Sequence, residues 1–342
     1  MLRLSGHRLP RWSIFGVSGY FARLFRIVGS LATVALGRNP PAGTTGATIG
    51  VAGNRGAGLR RAEIGGSMGE AERWDERWVI GPGRLRERLG QPGLRVVDAR
   101  PAADYAAGHL PGALHAALYS PTFKSPDSSP AGMRAFDARL QDELRRLGVR
   151  PGETVVFYEE IAGTSAARGV WMLDYAGVGG GAILDGGLAA WVAAGGPLTA
   201  EPTTAEPSDV EVRPDPSTVI SADEIAARLR DADAPLVVDT RGLPERAAGA
   251  VPGSVHLEWV GHLRPDGSLR GPDELRRAYA AVGVSAETAP EVVTYCASGY
   301  RAAHTWLVLR ALGLPTVRNY AASWNEWGSR PDLPTERPGD RA

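Results

Sequence analysis

The sequence predicts an α/β protein built from two equivalent domains in tandem, each a mainly parallel sheet flanked by helices. Two observations predict it. A set of short apolar runs and turns occurs twice, in the same order. Within each copy those runs alternate with segments of helical length, the pattern of a parallel sheet covered by helices.

The elements follow in order. Leu94-Arg-Val-Val-Asp98-Ala-Arg100 matches Leu236-Val-Val-Asp239-Thr-Arg241, each a β-branched run that ends in Asp-x-Arg and reads as a buried strand entering a loop. Eleven residues after each Asp comes a Pro-Gly turn, in His109-Leu-Pro-Gly112-Ala-Leu-His115 and Ala250-Val-Pro-Gly253-Ser-Val-His256, so both features repeat at an offset of 141. Thr154-Val-Val-Phe-Tyr158-Glu159 then corresponds to Glu291-Val-Val-Thr-Tyr295-Cys296 at an offset of 137. Helices rich in small residues come next, Ser165 to Ala176 and Arg301 to Leu312, and each stops at a glycine, Gly177 and Gly313. The last match sets Asp185 to Trp191 against Tyr320 to Trp327. Asp137 to Leu147 and Asp273 to Val282 carry apolar residues at helical spacing and read as amphipathic surface helices. Ser120 to Ala131 is polar and proline-rich and reads as an exposed loop. These matches divide the chain into a leader over 1–67, a first domain over 72–198, a linker over 199–217 rich in Pro, Thr, Glu and Ala, and a second domain over 218–334.

The 342 residues suit two domains, and 43% hydrophobic with 22% charged residues is ordinary globular composition. Zero formal net charge gives no global argument for a nucleic-acid partner. Met1 to Ser67 carries nine arginines against one acid, Glu63. Trp12 to Leu36 is apolar, yet Arg23 and Arg26 in its middle argue against a membrane span. The expectation is a disordered leader or a start codon placed before the true start at Met68, with a peripheral amphipathic anchor as the alternative.

The chain has one cysteine, so an intrachain disulfide and a thiolate metal cluster are excluded. Cys296-Ala297-Ser298-Gly299-Tyr300-Arg301 follows an apolar strand and precedes a helix, which puts the sulfur at the carboxyl edge of a parallel sheet, where open α/β folds bind ligands. Small residues, with Gly299 free to take an unusual backbone angle, allow a cradle of amide N–H groups, and the helix N-terminus adds positive potential. That environment favours the nucleophilic thiolate and holds an anion, including a persulfide on Cys296 itself. Arg301 adds a guanidinium suited to oxyanions. The other reading is a core cysteine with a solvated Arg301. The first copy has Glu159 at the equivalent place, which cannot act as a sulfur nucleophile and repels anions. It is expected to be inactive, packing against the second copy and closing one side of the cleft.

With these residues in hand the chain resembles the rhodanese (sulfurtransferase) superfamily in its tandem-domain form. The features are the Asp-x-Arg strand end, the Pro-Gly turn, the six-residue loop opening with Cys296, and Ser323-Trp-Asn-Glu-Trp-Gly328, together covering about residues 75–330. The resemblance implies a five-stranded, mainly parallel sheet in each domain and the active cysteine in the second. It implies a ping-pong cycle in which Cys296 takes sulfur from a small anionic donor and hands it to a thiophilic acceptor such as cyanide or a thiol, including a protein thiol, with no cofactor and no metal. Arg301, Arg246 and the loop residues Ala297, Ser298, Gly299 and Tyr300 are expected to bind the donor. Arg246 enters as the basic residue after the Asp-x-Arg element, where Glu245 also stands. Asp239 and Arg241 recur in the first copy as Asp98 and Arg100, so they are expected to be structural. His304, in the helix after the loop, reads as a capping or core histidine.

The loop mixes the neutral character of 3-mercaptopyruvate users with the charge of thiosulfate users, and Arg301 favours thiosulfate. No nucleic-acid partner and no membrane are expected, and the location is expected to be cytoplasmic. Two other readings stand beside the enzyme. One is a noncatalytic or regulatory binding module with an incidental or redox-sensing Cys296. The other is a phosphatase-like relative, disfavoured because phosphatase loops carry one more residue between cysteine and arginine.

Overall fold

The computed structural model describes residues 74–125 and 127–337, so the expectations for residues 1–67 lie outside the described residues. The first copy runs β1 (Val79–Ile80), α1 (Pro82–Arg88), β2 (Leu94–Asp98), α2 (Ala102–Ala107), β3 (Leu114–His115), α3 (Pro130–Arg146), β4 (Thr154–Tyr158), α4 (Thr164–Tyr175), β5 (Gly181–Leu184) and α5 (Gly187–Ala193). The second runs α6 (Ala222–Arg228), β6 (Leu236–Asp239), α7 (Leu243–Ala248), β7 (Val255–His256), α8 (Pro272–Ala280), β8 (Val292–Tyr295), α9 (Tyr300–Ala311), β9 (Val317–Asn319) and α10 (Ser323–Trp327).

Both sheets are parallel, ordered β1-β5-β4-β2-β3 and β7-β6-β8-β9. Their central strands are buried along nearly their whole length, as continuous Val-rich runs require when helices cover both faces. The first sheet has five strands and the second four. The place of the fifth is taken by a single parallel bridge from Val219 to Asn319. The segment stops there because Ser221, two residues on, already caps α6 by accepting from the Glu224 N–H at 3.2 Å. Among the described residues no helix is long and apolar enough to cross a membrane.

The two copies share one core. Buried Ala166, Ala167, Val170 and Trp171 of α4 belong to the same apolar cluster as Ala303, Trp306 and Leu307 of α9, while separate clusters fill the outer faces. Within the first copy α4 lies close on β4, where a Cβ at Gly169 would sit 2.5 Å from the Phe157 ring. Residues 199–217 follow the first copy instead of hanging free. Thr199 bridges His109, Ser208 N–H donates to Arg145 O, and Arg213 N–H donates to Ala176 O.

The stretch read as an exposed loop, Ser120 to Ala131, is corrected in part: Pro121, Thr122 and Ser129 to Ala131 are exposed, the middle is not. Phe123 and Ser125 are buried, and Ser128 donates across the interface to the Glu326 carboxylate from both N–H (3.0 Å) and Oγ (2.7 Å). Its polar composition serves the interface where the strap dips inward, because buried backbone and hydroxyl groups must be satisfied there.

Candidate active site

β8 brings Cys296 to the sheet's carboxyl edge, and α9 begins four residues later. Cys296 is 1% exposed, and its Sγ accepts from the Gly299 N–H at 3.1 Å. Gly299 has φ +84°, and a Cβ there would lie 2.3 Å from the Ala321 carbonyl, so the turn requires glycine. The carbonyls of Cys296 and Ala297 are engaged elsewhere, accepting from the Trp324 and Asn325 N–H groups of α10 at 3.0 and 2.9 Å. An amide therefore faces the sulfur while these two carbonyls serve α10.

Ser323 completes this arrangement. Its Oγ accepts from the Cys296 N–H at 3.0 Å, donates to Tyr320 O at 2.7 Å, and lies 3.9 Å from Sγ. Among the described residues it is the only non-glycine with positive φ, at 59°. Gly187 holds the equivalent place in the first copy with φ 58°. A serine in that strained conformation, where glycine is the easier choice, marks the hydroxyl as useful. The sequence motif contains Ser323, but only the duplicated Gly187 signals its backbone.

The charged residues divide differently from the sequence expectation. Arg301 makes a bidentate pair with Glu245 at 2.6 and 2.8 Å. Burial works against the Arg301 charge, but Glu245 and the nearby Cys296 sulfur outweigh it and hold the guanidinium above its ordinary range. Burial pushes the Glu245 carboxyl up, yet Arg301 outweighs that and keeps it below its ordinary value. Arg246, expected to bind donor, is the correction. Its guanidinium goes to Asp239 (3.3 Å), Ser254 Oγ (2.9 Å) and Ser254 O (2.6 Å). Neighbours on a helix point about 100° apart, so α7 turns Glu245 to the loop and Arg246 into the fold. Ala297 and Ser298 are partly exposed and line the loop by backbone. Tyr300 faces the first copy, its hydroxyl donating to Leu118 O at 2.7 Å.

Asp239 and Arg241 form a buried pair, Nε to Oδ1 at 2.9 Å and Nη2 to Oδ2 at 2.7 Å. Arg241 also reaches Gly249 O at 2.7 Å, and the Tyr295 hydroxyl donates to Asp239 at 2.7 Å. Asp98, Arg100, Gly108 and Tyr158 repeat the arrangement in the first copy. The pair ties the strand end to the Pro-Gly turn in both domains.

His304 is fully buried. Its Nε2 lies 3.0 Å from the Ala162 carbonyl of the first copy, so that nitrogen carries the proton and Nδ1 accepts from His262 Nδ1 at 3.1 Å. Burial pulls His304 down to about 4, so it is neutral at neutral pH and serves the interface. Among the described residues no three His, Cys, Asp or Glu side chains converge to hold a metal.

In the first copy Glu159 accepts from the Ser165 and Ala166 N–H groups at 2.6 and 3.1 Å, at the start of α4. Burial pushes this carboxyl up to about 7 against those hydrogen bonds. The equivalent loop thus holds an anion-forming group on helix N-terminal amides.

Arg168, on α4, went unremarked in the sequence and is the other residue the structure brings to the loop. Its Nη1 lies 3.4 Å from Gly299 O.

Residues 81–194 and 221–330 both match the rhodanese-like domain family. The thiosulfate sulfurtransferase of Pseudomonas aeruginosa is 36% identical over 269 residues, covering 75% of this chain and 96% of that protein. A probable 3-mercaptopyruvate sulfurtransferase of the same organism is 33% identical, covering 73% of this chain and 95% of that protein. The crystal structure of SseA from Escherichia coli, described as a 3-mercaptopyruvate sulfotransferase with the rhodanese fold, aligns with a TM-score of 0.61 and 26% identity over 73% of this chain and 99% of its own. With two matched domains and relatives aligned over nearly their full length, the chain belongs to the rhodanese-like family in its tandem form.

Proposed function

We propose that the protein is a sulfurtransferase that moves sulfane sulfur from thiosulfate to a thiophilic acceptor through a persulfide on Cys296. The observation that carries the reading is the sulfur placed at a strand end, facing the Gly299 N–H at the start of α9. The thiolate attacks the outer sulfur of thiosulfate, the S–S bond of the donor breaks, and sulfite leaves with the electron pair. Cys–S–S⁻ remains, and cyanide or a thiolate then takes the outer sulfur and regenerates Cys–S⁻. Gly299 N–H, the first amides of α9 and Arg301 hold the anionic forms, with Ala297, Ser298 and Tyr300 shaping the loop. A protein thiol fits the acceptor role as well as cyanide does.

Thiosulfate is favoured by Arg301 and by the 36% identity to a thiosulfate sulfurtransferase. One observation favours 3-mercaptopyruvate as a second reading: Glu245 neutralises Arg301, leaving the loop close to neutral. Thiocyanate production with each donor under one set of conditions ranks the two. The expected result is a higher kcat/KM with thiosulfate and no turnover in Cys296→Ser. Turnover that survives in Cys296→Ser refutes the persulfide route.

A further inference from the structure

Arg168 and Arg241 are both fully buried guanidinium groups. Arg241 has a carboxylate, Asp239. Among the described residues the hydrogen-bond partners of Arg168 are neutral oxygens: Gly299 O at 3.4 Å, Phe123 O at 3.2 Å and Ser125 Oγ at 3.2 Å. Its Nε is buried with no hydrogen-bond partner among them. Aromatic faces complete the enclosure, with Trp171 at 4.1 Å, Tyr300 at 5.3 Å and Phe136 at 5.5 Å from the guanidinium carbon. A buried cation without a counter-ion is costly, and ordinary folds avoid it.

A group able to supply the anion, the Cys296 sulfur, is close by. Gly299 is shared between Arg168 and the sulfur, its carbonyl facing the guanidinium and its N–H donating to Sγ. The Gly299 carbonyl belongs to the same peptide unit as the Tyr300 N–H, so a cation at that oxygen also strengthens the first amide of α9 as a donor. Burial pulls Arg168 down to about 10, while the Tyr300 hydroxyl and the Cys296 sulfur act to raise it, and it stays charged at neutral pH. The other titratable or charged groups around the pair are Tyr175 on α4, Arg301 and Glu245 on the cleft side, and Lys124 on the strap, whose ammonium sits over the Tyr119 ring.

We propose that Arg168 is a positioning residue: from the first domain it supplies, behind the Gly299 turn, the buried positive charge that holds Cys296 as thiolate and then as persulfide. The inference rests on Cys296 being the sulfur carrier. It gives the first domain a part in the chemistry although its own loop holds Glu159. Arg301 acts on the same sulfur from the partly exposed side.

The test is the rate of Cys296 alkylation by iodoacetamide against pH in the full chain, for the wild type, Arg168→Met and Arg168→Lys. Met fills the aromatic pocket without a charge, and Lys keeps one. The half-maximal pH is expected to rise by about one unit in Arg168→Met and to stay within a few tenths in Arg168→Lys. A Met variant that folds and keeps the wild-type profile overturns the proposal. Nitrogen-15 NMR of the Arg168 side chain in the wild type gives a second measurement, independent of the Met variant folding. Its resonance should move over the same pH range as alkylation, and again on persulfide loading. A resonance that stays fixed through the thiol titration overturns the proposal too. Alkylation uses no sulfur donor, so a wild type that makes no thiocyanate defeats the proposed function without deciding this one.

Discussion

The loops after β4 and β8 occupy the same place in two copies of one fold, and both end on the amides that open a helix. In the first copy a carboxylate, Glu159, sits on the Ser165 and Ala166 N–H groups and fills the site permanently. In the second, the side chain is the Cys296 sulfur, held by Gly299 N–H, with Arg301 and Arg168 nearby. The scaffold turns helix-opening amides toward a side chain in both. What differs is whether that side chain is a fixed carboxyl or an exchangeable sulfur site, and whether guanidinium groups stand beside it.

Removing the exchangeable atom should have the largest effect. Cys296→Ser is expected to lower thiocyanate formation by roughly a thousandfold or more with either donor. Moving the thiol sharpens the comparison: Glu159→Cys in a Cys296→Ser background should recover less than about 1% of wild-type turnover, since that loop has no arginine at the place of Arg301. Recovery to wild-type levels would mean that the cradle alone suffices.

The ion pair over the Cys296 loop comes next. Arg301→Gln should raise the KM for thiosulfate by roughly tenfold or more, and Glu245→Gln should lower it by about three- to tenfold, because freeing Arg301 exposes its charge to the donor. A higher KM in Glu245→Gln would show that the carboxylate aids binding.

The fixed carboxyl should register as stability. Burial raises the Glu159 carboxyl from 4.5 to about 7, so the folded chain keeps its proton where the unfolded chain has lost it. Stability from this group is therefore greatest below about pH 4.5 and falls as pH rises through 7. Urea unfolding should show Glu159→Gln gaining on the wild type across that window, by about 3 kcal/mol at most. An equal gap at pH 5 and pH 8 would mean that the carboxyl is not displaced. The smallest effect expected is that of Ser323→Ala, which loses the acceptor for Cys296 N–H and should cost about 1 kcal/mol in unfolding free energy with a few-fold loss of turnover.

Much of this contrast is legible in the sequence, because it is written in local patterns. Val-rich runs ending at Asp98 and Asp239 specify strand ends, the repeat gives two sheets, and Cys296 against Glu159 separates the two loops. What was hidden depends on neighbours distant in the chain. Arg168 looks like any helix arginine until α4 packs on α9. Glu245 and Arg246 are adjacent in sequence, and only the phase of α7 decides which meets Arg301. The strap at 120–131 has surface composition but runs along the second domain, where Ser128 donates to Glu326, while Phe123 O and Ser125 Oγ accept from Arg168 and Ser120 O accepts from the Tyr300 hydroxyl. The second sheet falls one strand short because Ser221 begins a helix after a single bridge.

The central claim is that the second loop carries an exchangeable sulfur on Cys296 where the first carries a fixed carboxyl group. Intact-protein mass spectrometry after incubation with thiosulfate, followed by peptide mapping, tests it most directly. The account predicts a gain of one sulfur atom on the peptide containing Cys296, removed by cyanide and absent in Cys296→Ser. A chain that gains no sulfur from either thiosulfate or 3-mercaptopyruvate, or gains it equally without Cys296, contradicts it.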